Sequence, residues 1–191
     1  MQSQNVRTAP PRMATKTLAC CAMLAALQVV IARLIIPMPA ADTRISLEAI
    51  PVVLAGLLFG PMAGAMVGFS ADLVGCLFSG YGYNPLFCLP PILYGLFGGL
   101  LRRYVSRKPN FLRVLLAYAP AVILGSVLWQ SATLAWVYNG EGAFLESLIV
   151  KLSTRSVQFA ICWPVEALIT AILLKSGIFQ ALKIWPLEPK N

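Results

Sequence analysis

The chain has 191 residues, 59% of them hydrophobic and 12% charged, with fifteen Lys and Arg, seven Asp and Glu, and no histidine. Its mean hydropathy of +0.77 means more apolar surface than one soluble core of this length can bury, so the composition is that of a membrane protein. Without histidine the usual general base and commonest metal ligand are missing, and no G-x-x-x-x-G-K-[ST] loop is present, which excludes Ser-His hydrolysis, His-based zinc chemistry and P-loop use of ATP.

In chain order, residues 1–17 form a polar, proline-bearing stretch with no small-residue cleavage site after it, expected as a disordered, retained cytoplasmic tail. Residues 18–176 hold six apolar runs near the ~20 residues a helix needs to cross the hydrocarbon layer: 18–36, 47–59, 62–78, 86–101, 112–138 and 148–174. The second is too short to span unaided, and Gly60 and Pro61 separate it from the third, so the two form a tight helical hairpin or a re-entrant element. Residues 177–191 are expected as a cytoplasmic C-terminal tail. The expected fold is all-α and polytopic, with six transmembrane helices.

Eleven of the fifteen basic residues flank the first run, fill the loop after the fourth or follow the sixth. Six spans place these segments on one side, and the positive-inside bias makes that side the cytoplasm. Arg33, Arg44, Lys151 and Arg155 then fall at or inside the opposite face. Pairing with Asp42, Glu48, Glu141 and Glu146, and snorkelling, accounts for Arg33 and Lys151. Arg44 and Arg155 read as the lining of an outward-facing site for an anionic ligand, since a guanidinium grips a carboxylate with two parallel hydrogen bonds at any pH.

Gly56, Gly60, Gly64 and Gly68 recur every fourth residue, and Asp72 and Cys76 continue that stripe. The glycines predict close helix packing. Asp72, too costly to leave unpaired at that depth, is expected to pair with Arg155 or Arg33 or to take ligand donors. Ala22 and Ala26, beside Ala19 and Ala25, give the first run a smooth face that serves either internal packing or docking of another membrane protein. "FSGYGYNPLF" supplies Tyr81, Tyr83 and Asn84. Tyr81, Trp136 and Tyr138 fit an aromatic belt, whereas Trp129 and Gln130 lie deeper, where a planar ring could stack and exchange amide hydrogen bonds. Gln158 sits one turn below Arg155, and Pro164 marks an expected kink. The five cysteines lie in apolar runs without a C-x-x-C pair and read as small buried hydrophobes. Ser126, Ser131 and Ser156 have no base in view, so no catalytic residue, cofactor or metal is expected.

The runs "RISLEAIPVVLAGLLFGPMAGAMVGFSADLVGCLF", "GYGYNPLFCLPPILYGLFGGLL" and "KLSTRSVQFAICWPVEALI" resemble the folate-type substrate-binding (S) components of energy-coupling factor (ECF) vitamin transporters, most specifically from Arg44 to Leu100. The pattern departs from that family at Glu48 and Asn84. The resemblance implies a six-helix S-component bundle in a prokaryotic plasma membrane that binds a folate-like vitamin from outside. It implies delivery with a transmembrane coupling subunit and two cytoplasmic ATPases, without nucleic acid. It also implies a ligand site drawn from Arg44, Asp72, Tyr83, Asn84, Trp129, Gln130, Arg155 and Gln158, a gate over residues 37–46, and contact with the coupling subunit through Ala22 and Ala26. Another vitamin or precursor (queuosine precursor, thiamine, riboflavin) and a ligand-free membrane scaffold are the alternatives.

Overall fold

The computed structural model describes residues 15–33, 36–37, 44–78, 83–107, 109–139, 144–176 and 178–181. Asp42, Tyr81, Glu141 and most of the 37–46 gate lie outside the described residues, as do the side chains of Arg44 and Tyr138. Helix α1 covers Thr15–Ile31, a few residues earlier than the apolar run alone indicates. A two-residue antiparallel pairing of β1 (Ile36–Pro37) with β2 (Arg44–Ile45) closes the α1–α2 connection, and the remainder is helical.

Helices α2 (Ala49–Phe59) and α3 (Pro61–Leu77) form the expected hairpin. Gly60 turns the chain at φ 105°, a left-handed conformation that favours glycine, and Pro61 opens α3 where its missing N–H costs nothing. The eleven residues of α2 rise only about 16 Å, roughly half the hydrocarbon thickness. The stretch from Arg44 to Glu48 therefore enters the bundle as a non-helical strap before α2 begins, and β2 packs against α8.

Helix α4 (Leu89–Leu100) follows a 3-10 turn at Pro85–Phe87, and the short α5 (Arg102–Arg107) carries part of the basic loop. The 112–138 run forms a continuous helical stretch in three parts: α6 (Phe111–Pro120), a π-helical segment at Ala121–Trp129, and α7 (Gln130–Asn139). Pro120 removes one N–H donor from the ladder, and the helix widens directly after it. By contrast α8 (Phe144–Lys175) continues as α-helix through Pro164, and a short α9 (Ile178–Ala181) lies in the expected C-terminal tail.

The α6–α7 stretch and α8 are the two described helices long and apolar enough to span a membrane by length and composition, with shorter apolar helices beside them. The outer surface carries the stronger signature: Met62, Met66, Phe69, Leu73 and Leu77 form an exposed stripe on α3, and Ile161, Val165, Leu168 and Ile172 another on α8. Apolar side chains directed outward at helical spacing fit hydrocarbon as solvent.

Inside, α2, α3 and α4 pack backbone to backbone. A Cβ added at Gly64 would fall against the Gly95 carbonyl and the Gly56 Cα, one at Gly68 against the Pro91 carbonyl, and one at Gly99 against Pro61. The glycine stripe read from α2 and α3 thus meets a second stripe, Gly95, Gly98 and Gly99, on α4. At the hairpin end Arg102 donates from Nη2 to the Leu58 carbonyl (3.1 Å), holding the α2 terminus beside the basic loop. Burial, and then Arg103, pulls the Arg102 pKa below the usual value. The opposite end, with the strap and the α3–α4 and α7–α8 connections, is the loop end.

Candidate functional site

Helix α8 carries a ridge of polar side chains along one face. Arg155, Gln158, Cys162, Glu166 and Thr170 follow one another at three- and four-residue steps, and the last four are buried. Toward the loop end Arg155 donates from Nη1 to Gln130 Oε1 of α7 at 3.0 Å, so the structure brings together two residues singled out from sequence. Gln158 lies one turn below them.

Deeper, the ridge meets a layer of buried hydroxyls. The Tyr94 hydroxyl is 2.9 Å from Ser126 Oγ, Tyr118 OH is 2.7 Å from Thr170 Oγ1, and the two phenol rings meet edge to face with centroids 6.1 Å apart. Glu166, 3% exposed, belongs to this layer and accepts a hydrogen bond from the Ala49 backbone N–H at the start of α2. Glu48 lies within electrostatic reach of Glu166 and Tyr94. Sequence reading places Glu48 among the acids of the outer face. In the structure Glu48 is half-buried at the N-cap of the short α2, beside that layer.

A second polar group lies between the end of α3 and the start of α4. The Cys88 thiol donates to Asp72 and accepts from the Tyr83 hydroxyl. The Tyr83 phenol is held above its ordinary pKa by desolvation, then by the Cys88 bond and the Asp72 charge. Asp72 Oδ2 is buried without a hydrogen-bond partner. Arg33, one of its expected partners, donates instead to the Gly75 carbonyl at 2.9 Å. Asn84 Oδ1 accepts from Leu86 N–H at 3.1 Å and caps the 3-10 turn.

Trp129 stands apart from these groups. Its indole N–H donates to the Leu86 carbonyl at 2.8 Å, and its ring lines an outer apolar groove of about 420 Å³ with Leu89, Leu93, Leu124, Leu128 and Ala132. Trp129 and Gln130, named together from sequence, diverge here: only Gln130 meets Arg155, and the Trp129 ring lies in the outer groove. The cysteines form no disulfide among the described residues, but they are more than filler, because Cys88 bridges Asp72 to Tyr83 and Cys162 hydrogen-bonds the Ser46 backbone.

Among the described residues six buried side-chain polar atoms lack a partner: Arg102 Nε beside the basic loop, and Gln28 Oε1, Ser46 Oγ, Asp72 Oδ2, Ser131 Oγ and Glu166 Oε2 on α1, the strap, α3, α7 and α8 in turn. Unsatisfied buried polar atoms are rare in a settled interior. Gln28, Ser131 and Glu166 were not selected from sequence. The available signal was Glu166, a carboxylate inside the apolar run "AICWPVEALI".

A small helical bundle with apolar stripes on its outer surface and polar side chains within has the build of a membrane protein. Residues 12–176 match the family model described as "ECF-type riboflavin transporter, S component", and the chain belongs to that family of transporter subunits, which is not a family of enzymes. The folate transporter FolT of Clostridium novyi (strain NT) is 30% identical over 131 residues, covering 66% of this chain and 69% of FolT. A UPF0397 protein of Streptococcus pneumoniae (strain CGSP14) is 37% identical over 81 residues, 42% of this chain and 44% of its own length. Among solved structures, FolT bound with folic acid superposes with a TM-score of 0.65 at 27% identity, covering 84% of this chain and 93% of FolT. The S component for biotin from an ECF-type ABC transporter superposes at 0.61 with 20% identity, covering 89% and 98%, and shows the common fold.

Proposed function

We propose that this chain is the folate-binding S component of an ECF-type importer. The observation that carries the reading is the Arg155–Gln130 pair above buried Gln158, in a chain similar over two thirds of its length to a folate transporter and in fold to FolT bound with folic acid. Folate brings two carboxylates for guanidinium groups and a heteroaromatic ring rich in N–H donors and acceptors, for which the partnerless Asp72 Oδ2 is a complementary acceptor. Tyr83 and Asn84 flank Asp72 at the loop end, Arg44 supplies the second cation, and Trp129 supports the site from behind through Leu86. The family model names riboflavin, but the isoalloxazine ring and its sugar chain carry no charge at neutral pH and would leave the two arginines without a reason.

In this reading six spans place both termini and the Arg102–Arg113 region in the cytoplasm of a prokaryote, supported by the distribution of basic residues. The loop end then faces outward. Uptake needs a transmembrane coupling subunit and two cytoplasmic ATPases, since this chain carries no P-loop.

The test is a thermal melt of the detergent-purified chain against folic acid, 5-formyltetrahydrofolate, riboflavin, thiamine, biotin and queuosine precursors. A ligand that binds only the folded chain raises the midpoint with concentration. The expected result is a shift with folates alone; a shift with riboflavin alone would overturn the folate reading and keep the fold.

A further inference from the structure

The start of α2 lies inside the bundle, where backbone N–H groups have no bulk water to bond. Of its first three positions, Pro51 has no N–H, and Ile50 N–H bonds the Leu47 carbonyl at 3.3 Å. The N-cap residue, Glu48, makes no side-chain capping bond. That leaves the Ala49 N–H, and it is met from another helix, by the Glu166 carboxylate of α8. One turn earlier on α8, Cys162 hydrogen-bonds the backbone of Ser46, and β2, which carries Arg44, packs on the same helix. The strap is thus fastened to α8 at two successive turns, and Arg155 is on that helix too.

We propose that Glu166 is a positioning residue: it latches the start of α2, and with it the strap carrying Arg44, onto the helix that carries Arg155. The side chain that makes this tie is 3% exposed. A helix begun in mid-bundle offers one outward donor, and α8 packs against α2 where a long acceptor can reach it. Glu166 meets both conditions of reach and acceptance. Its consequence for ligand capture rests on the proposed folate function, but the latch itself does not.

The test uses two conservative variants of the full-length chain in detergent. Glu166→Gln keeps an acceptor oxygen at the same reach and replaces the carboxyl with an amide. Glu166→Asp keeps the carboxyl and withdraws the oxygen by one methylene. Hydrogen exchange followed by mass spectrometry, without ligand, should show residues 45–52 exchanging at least tenfold faster in Glu166→Asp and within about threefold of wild type in Glu166→Gln, with residues 111–118 unchanged in both. Folic acid should dissociate at least tenfold faster from Glu166→Asp than from Glu166→Gln. Unchanged exchange in Glu166→Asp, or equal acceleration in both variants, overturns the latch. The expected exchange pattern in proteins that all fail to bind folic acid supports the latch and overturns the folate reading. The expected exchange with equal folic acid dissociation overturns the positioning role in capture.

Discussion

Arg155 donates to the amide oxygen of Gln130 on the neighbouring helix, above a buried Gln158. A planar guanidinium can meet a ligand carboxylate through two parallel hydrogen bonds. Arg155→Ala is therefore expected to weaken folic acid binding by about 2–4 kcal/mol, roughly 30-fold or more in Kd by titration calorimetry. Arg155→Lys, which keeps the charge without the fork, should recover only part of it. Trp129→Phe is the matching control. With its N–H committed to Leu86 and its ring in the outer groove, it should lower the melting midpoint and leave Kd within about threefold. Arg155, Gln130 and Gln158 were legible because charge and amide groups stand out in apolar runs at helical spacing. The direction of Trp129 was not, since an aromatic near the membrane boundary serves equally as ligand platform, belt or anchor. Glu166 was visible as a letter, yet its partner is a backbone N–H, which leaves no mark in side-chain identity.

At the scale of elements, packing in the α2–α3–α4 layer depends on backbones meeting without side chains between them. A methyl at Gly64 or Gly95 would meet main-chain atoms of the facing helix, which have no rotamer to escape into. Gly64→Ala and Gly95→Ala are each expected to cost about 1–3 kcal/mol, the usual range for overpacking a tight core, read as a lower melting midpoint. Gly75, also on α3, has nothing within 4 Å of an added Cβ, so Gly75→Ala should be neutral or slightly stabilising through helix propensity. The hairpin and the glycine seam were readable because both depend on local rules, glycine period and a Gly-Pro turn. The depth at which α2 begins was not, because the strap is ordinary sequence whose descent is set by α8. Pro120 and Pro164 make the same point: both remove a donor, yet only the first is followed by a π-helical segment, and spacing alone does not distinguish them.

For the whole molecule, the polar side chains gather inside and the small-residue face of α1 points out. Helix α1 packs on α2 and α3, which leaves Ala19, Ala22, Met23, Ala26 and Leu27 exposed on its other side. Internal packing, one reading of those alanines, is thereby removed for Ala22 and Ala26, and a smooth exposed face suits close approach by a second membrane helix. Because this face is distant in the fold from the Arg155 ridge, binding and coupling should separate. A double variant, Ala22→Leu with Ala26→Leu, is expected to keep the folate-induced melting shift of the isolated chain and to lose co-purification with the coupling subunit, and with it uptake in cells. Loss of the melting shift would return α1 to the ligand site, where its buried Gln28 already points inward. Retained uptake would move the coupling surface to another face, for which the outward stripe on α3 is a candidate.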